Sequence, residues 1–107
     1  VYSSFEDLKA AFGDYEAAER QSDWDNAKLA VPVGTVVIGC VVARFRFGVF
    51  CDIGVGFPAL LEIVRIRDLT PEAYRTTEWC PIGSELSATV TGFADDGRQI
   101  GLSQLVE

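Results

Sequence analysis

The sequence predicts a mainly β domain: a five-stranded barrel with an N-terminal helical extension and a helical segment between strands three and four. Three observations predict it. Apolar residues recur at helical spacing up to about residue 30, and then Pro32 and Gly34 interrupt the chain. Beyond Gly34 the pattern becomes short β-branched and alternating runs bounded by Gly, Pro and Asp. One stretch among those runs, Asp68 to Glu78, reverts to a helical pattern.

In the extension, Phe5, Leu8, Phe12 and Tyr15 form one stripe and predict a helix over 3–19. Ser3 with Glu6, or Ser4 with Asp7, fits a capping box at its start. Gly13 lies inside the stripe and weakens it. A second short helix is expected over 22–29, capped by Ser22 and anchored by Trp24. So short a helix is marginal alone, which favours docking of the stripe on the barrel over an interaction helix for a partner.

Strand one is expected over 35–44, apolar at nearly every position and so with little face for water; Gly39 allows a bend in it. Strand two spans 47–53, and the short link Phe45-Arg46 makes the pair a hairpin with Cys40 opposite Cys51. Strand three spans 59–63. Thr70 caps the helical segment, with Pro71 in its first turn, and Pro81 and Gly83 end it. Strand four spans 85–93, with Leu86, Ala88 and Val90 on one face. Asp95-Asp96-Gly97 is a hairpin signal, and strand five spans 99–103 with Ile100 and Leu102 inward. Five strands with a helix between the third and fourth is the topology of an OB-fold, a Greek-key barrel. The expected division is 1–33 as helical extension and 34–107 as barrel.

Composition narrows the function. The 107 residues fit one domain, and 49% hydrophobic content supplies a core without disulfide staples. No apolar run approaches the ~20 residues of a membrane span, and no signal peptide is read at the N-terminus. Cys40, Cys51 and Cys80 are odd in number and lack C-x-x-C spacing, which points to reduced thiols in a cytoplasmic protein. Histidine is absent, which removes the commonest acid/base, nucleophile partner and zinc ligand. No enzyme, cofactor or metal is expected. Gly54-Val55-Gly56-Phe57-Pro58-Ala59 matches a dinucleotide fingerprint, but Pro58 opens a strand where that motif needs a helix. Net charge is −7, with 16 acids against 9 basic residues, which disfavours polyanion binding by the molecule as a whole.

Four segments in order resemble a known family: Val33-Gly34-Thr35-Val36-Val37-Ile38-Gly39-Cys40-Val41, Phe47-Gly48-Val49-Phe50-Cys51-Asp52-Ile53-Gly54, Leu60-Leu61-Glu62-Ile63 and Ile100-Gly101-Leu102-Ser103. Over about 33–105 the chain resembles the S1-type RNA-binding domain, as a divergent acidic member. The resemblance implies a barrel face that holds single-stranded RNA by aromatics and basic groups. It assigns Phe47 and Phe50 to the aromatics and Asp95 to the position before the last hairpin. Three favourable positions differ: Cys40 replaces a basic residue, Glu62 a His, and Gln99 an Arg, with Arg98 one place away.

Phe47 and Phe50, three apart, face opposite sides of a regular strand; a bulge near Gly48 would bring them together. Arg44, Arg46, Arg65 and Arg67 alternate in two pairs and either form a phosphate-holding patch or pair with Asp52, Glu62 and Asp68. Asp95-Asp96 reads as a turn rather than a metal or acid/base pair. The expected function is weak single-stranded RNA binding by Phe47, Phe50, Arg44, Arg46, Arg98 and Asp95. The alternative is a protein-interaction or structural module that has lost most of the RNA site.

Overall fold

The computed structural model describes residues 2–76 and 79–105. Five strands close a barrel: β1 (Val36–Phe45), β2 (Gly48–Asp52), β3 (Pro58–Glu62), β4 (Glu85–Ala94) and β5 (Gln99–Ser103), in the order β1-β2-β3-β5-β4. All neighbours are antiparallel except β3 and β5, which run parallel. This is the OB-fold topology. Helices α1 (Phe5–Phe12) and α2 (Gln21–Ala30) precede the barrel, and α3 (Pro71–Thr76) lies between β3 and β4.

The barrel interior holds Val41, Val49, Cys51, Ala59, Leu61, Ala88, Val90, Ile100 and Leu102, all buried. Ala88, Val90, Ile100 and Leu102 follow the alternation expected for β4 and β5. In the first half of β1 that alternation leaves a wet face: Val36 and Ile38 are 68% and 67% exposed, so the strand has more surface to water than its composition suggests.

The β1–β2 hairpin turns one residue later than the sequence suggests. Phe45 pairs with Gly48, leaving Arg46-Phe47 as the loop, and Cys40 lies opposite Asp52 while Val41 lies opposite Cys51. The register shifts at a bulge between Val41 and Ala43, not near Gly48. Past the bulge the strand reverses its faces, so Ala43 and Phe45 join Phe50 on the outside of the barrel. All three cysteines are free thiols. Gly48 lets β3 approach: a Cβ there would meet the Leu61 carbonyl oxygen and lie 2.8 Å from Glu62 Cα.

The helix expected over 3–19 ends at Phe12. Gly13, at φ +71, returns its N–H to the Lys9 carbonyl at 2.7 Å, so the glycine in the stripe is the stop. The Asp7 carboxylate accepts the Ser4 N–H at 2.8 Å, the return half of a capping box. Leu8, Phe12 and Tyr15 are buried in the same core as the barrel. A 3-10 turn over Ala18–Arg20 runs straight into α2 with Arg20 at the cap position, so Ser22 lies inside the helix and caps nothing.

Trp24 of α2 closes one end of the barrel, edge-on to Phe57 at 5.1 Å and Phe93 at 6.1 Å. Replacing so buried an indole by Ala costs about 3–5 kcal/mol. Tyr74 is a second plug: its buried hydroxyl lies 2.7 Å from the Phe45 carbonyl and 2.9 Å from that of Gly48, at the root of the β1–β2 hairpin. Thr70 caps α3, its Oγ1 accepting the Ala73 N–H at 3.1 Å. Of the helical span expected over 68–78, residues 77 and 78 lie outside the described residues.

Candidate nucleic-acid interface

Strand pairing defines the outer surface formed by the end of β1 with β2, β3, β5 and β4. Directly opposed residues share a face. One row runs Ala43, Phe50, Leu60, Gly101, Gly92; the next runs Phe45, Gly48, Glu62. Three of these eight positions are glycine, so the surface around Leu60 and Glu62 is left bare of side chains. A Cβ added at Gly92 would meet nothing within 4 Å.

Beside this bare strip stands an aromatic cluster. Phe47 stacks on Phe45 at 5.2 Å and meets Phe50 edge-on at 6.2 Å; Phe45 meets Phe50 at 5.3 Å, and Phe5 of α1 lies on Phe45 at 5.0 Å. Phe47 and Phe50 do come together, because Phe47 is in the turn and free of strand alternation. They are not equivalent: Phe47 is 44% exposed, whereas Phe50 is 1% exposed and serves as backing. Ser3 holds the N-terminal arm against this region, donating its N–H to the Arg44 carbonyl at 2.7 Å and accepting the Arg44 N–H on Oγ at 3.0 Å.

Two hollows meet at Glu62. One, of about 350 Å³, is lined by Arg46, Phe47, Glu62, Val64, Pro71 and Arg75. The other, of about 210 Å³, is lined by Leu60, Glu62, Gly92, Phe93, Gln99 and Gly101. Together they make a groove with an exposed aromatic and two arginines at one end and an acidic residue in the middle. A separate hollow of about 310 Å³ lies at Val36, Arg67, Ser87, Thr89, Ser103 and Gln104.

The four alternating arginines do not form one patch. Arg46 lines the groove. Arg44 turns to the other face, where its guanidinium lies 4.7 Å over the Tyr74 ring and its Nη2 is 3.5 Å from the Tyr74 carbonyl; its buried Nε has no hydrogen-bond partner among the described residues. Arg65 reaches Glu62 at 3.9 Å, a half-exposed pair worth little. Arg67 donates from Nη2 to the Gln104 carbonyl at 2.9 Å, beside the separate hollow.

Asp95 and Arg98, expected among the RNA contacts, are instead bonded to the extension. Asp95 Oδ1 accepts from Trp24 Nε1 at 2.8 Å and from Lys28 Nζ at 2.9 Å. These hydrogen bonds, Lys28's first, hold its carboxyl below the usual carboxylate value. Arg98 is 9% exposed; it donates to the carbonyls of Tyr15 at 3.1 Å and Ala17 at 2.6 Å, and to Gln21 Oε1 at 3.0 Å. Both flank the β4–β5 turn: Asp95 ties it to α2, and Arg98 ties it to the segment leading into α2 and to the first residue of that helix.

Phe5, Phe45, Arg75 and Gly92 belong to this surface, and sequence reasoning assigned none of them a place in the site: Phe5 was read only as part of the helical stripe and Phe45 only as part of the hairpin link. Arg75 had a signal, because Tyr74 inward on a short helix turns its neighbour out. Phe45 had none, since the bulge that sets its face leaves no mark in an all-apolar run. Among the described residues no three His, Cys, Asp or Glu side chains converge on a metal position, and no helix is long and apolar enough to cross a membrane.

No family model matches the sequence. The chain is 30% identical over 80 residues to the 4-hydroxy-3-methylbut-2-enyl diphosphate reductase of Clostridium tetani, a match covering 75% of this chain and 12% of that protein. It therefore spans about an eighth of that curated relative's length. Among solved structures it is similar to GSP13 from Bacillus subtilis, with a TM-score of 0.57, 22% identity, and coverage of 70% of this chain and 59% of the other. It is also similar to Mycoplasma genitalium RNase R in complex with ribose-methylated single-stranded RNA, with a TM-score of 0.59, 21% identity, and coverage of 79% and 15%. At these identities the likeness concerns the fold.

Proposed function

We propose that this chain is a non-enzymatic, S1-type nucleic-acid-binding module that takes single-stranded RNA weakly along the groove through Glu62. One observation carries the reading: Phe47 stands half-exposed on a stack of Phe45 and Phe50, at the mouth of a hollow rimmed by Arg46 and Arg75. A base stacked on such a ring gains ~1–3 kcal/mol. The two guanidiniums suit the flanking phosphates. The fold likeness to an RNase R solved with single-stranded RNA supports the same reading. The free thiols fit a cytoplasmic setting.

The test is fluorescence anisotropy of a labelled, mixed-sequence RNA decamer across a salt series. Two phosphate contacts give a slope of log K against log salt of about −1.4. Phe47→Ala weakens binding roughly five- to hundred-fold, and Arg46→Ala flattens the slope by about 0.7. A salt-independent signal unaffected by Phe47→Ala would refute the assignment.

A second reading, a protein-interaction module, is favoured by Arg98, enclosed by the chain's own extension, and by the net charge of −7. Under it the decamer gives no signal at any salt.

A further inference from the structure

We infer that Glu62 makes the groove selective for guanine, by accepting a hydrogen-bonded pair from the edge of a base lying between Phe47 and Gln99. This rests on the RNA reading above and adds the base preference. Glu62 is exposed and belongs to both hollows. Its neighbours on the outer surface leave it uncovered: Gly48 lies opposite it, and Gly101 and Gly92 continue the bare strip beside Leu60. Its ion pair with Arg65 is long, at 3.9 Å, and half-exposed on both sides, so a better donor displaces it.

A carboxylate offers acceptors only. Guanine presents N1–H and N2–H₂ side by side, two coplanar donors that match the two carboxylate oxygens. Adenine and cytosine present one amino group next to a ring-nitrogen acceptor, which faces the second oxygen unfavourably. Uracil presents one N–H between two carbonyls. Single-stranded RNA is read through such splayed-out Watson–Crick edges. The negative charge that opposes phosphates in general thus becomes a filter: a strand passes over Glu62 at low cost where a guanine lies there. A bidentate contact of this kind discriminates by about ten-fold or more.

The experiment compares the pentamers UUGUU and UUUUU, titrated into labelled protein at low salt and followed by NMR, for wild type and Glu62→Gln. Glu62 is exposed, so the variant keeps the fold, which its own spectrum verifies. The expected result is a preference of about ten-fold for UUGUU in wild type. In Glu62→Gln that preference collapses, and binding of UUUUU strengthens as the opposing charge is removed. Equal binding of the two pentamers by wild type, or an unchanged preference in Glu62→Gln, overturns the guanine filter and leaves RNA binding standing. Absence of shifts with both pentamers and both proteins overturns the RNA reading itself.

Discussion

The indole Nε1 of Trp24 donates a 2.8 Å hydrogen bond to Oδ1 of Asp95, 71 residues further along the chain, and Lys28 Nζ reaches the same oxygen at 2.9 Å. The bond joins α2 to the end of β4 and fixes the ring that closes the barrel. The carboxyl is held below its ordinary value of 3.8 by these two donors. A lowered carboxylate contributes stability that is present above 3.8 and is lost as pH falls through the lowered value. Asp95→Asn therefore melts below wild type at neutral pH, and the two converge at strongly acid pH. Thermal unfolding of both proteins across that range checks it; a gap independent of pH would count against the bond.

Arg98→Ala removes one guanidinium from three acceptors in a nearly closed site. Stranding buried acceptors is expected to cost about 2–4 kcal/mol, read as a lower urea midpoint. Arg98→Lys does not restore it, because a single ammonium lacks the planar fork that spans three partners. A loss below about 0.5 kcal/mol would show the clamp to be idle.

Gly48→Ala and Gly92→Ala are opposite cases on one surface. The first drives a Cβ into the backbone of β3 at Leu61 and Glu62, and is expected to cost more than about 3 kcal/mol or to prevent folding. The second adds a methyl in open space and leaves stability within about 0.5–1 kcal/mol. Under the proposed function, Gly92→Leu, whose Cβ also enters open space, is expected to fill the groove and abolish RNA binding in a protein that melts near wild type. Unimpaired binding by that variant would move the site elsewhere.

The Cys51 thiol, fully buried in the barrel, is pushed up to about 12, chiefly by desolvation and then by the nearby Cys80 and Cys40. At pH 8 an aromatic disulfide reagent should titrate it only after denaturation, whereas the half-buried Cys40 and Cys80 react in the native state. A raised thiol also stabilises the fold below its ordinary value of 9.0 and loses that contribution as pH rises toward 12. Rapid native reaction of all three thiols would contradict this.

The fold was legible because each strand carried a local signal. The alternation of Ala88 with Val90 and of Ile100 with Leu102 set their faces, and Asp95-Asp96-Gly97 marked the last turn. The register of β1 was not legible, since Val36 to Ala43 is apolar nearly throughout and pairs equally well one residue along. Both the bulge and the one-residue shift of the hairpin follow from that degeneracy. They decide which phenylalanines share the outer face. Gly13 was visible as a weak point and is in fact the end of α1. The bonds of Asp95 to Trp24 and of Arg98 to Ala17 span 71 and 81 residues, and no spacing rule reaches so far.

In the proposed function, RNA lies in the groove through Phe47 and Glu62. The most direct measurement is an amide map of labelled protein titrated with a short single-stranded RNA, at low and then moderate salt. Shifts are expected to concentrate at Arg46, Phe47, Glu62, Gly92 and Gln99 and to shrink as salt rises. No shifts at millimolar RNA in low salt, or shifts confined to the hollow at Arg67, Ser87 and Gln104, would contradict it.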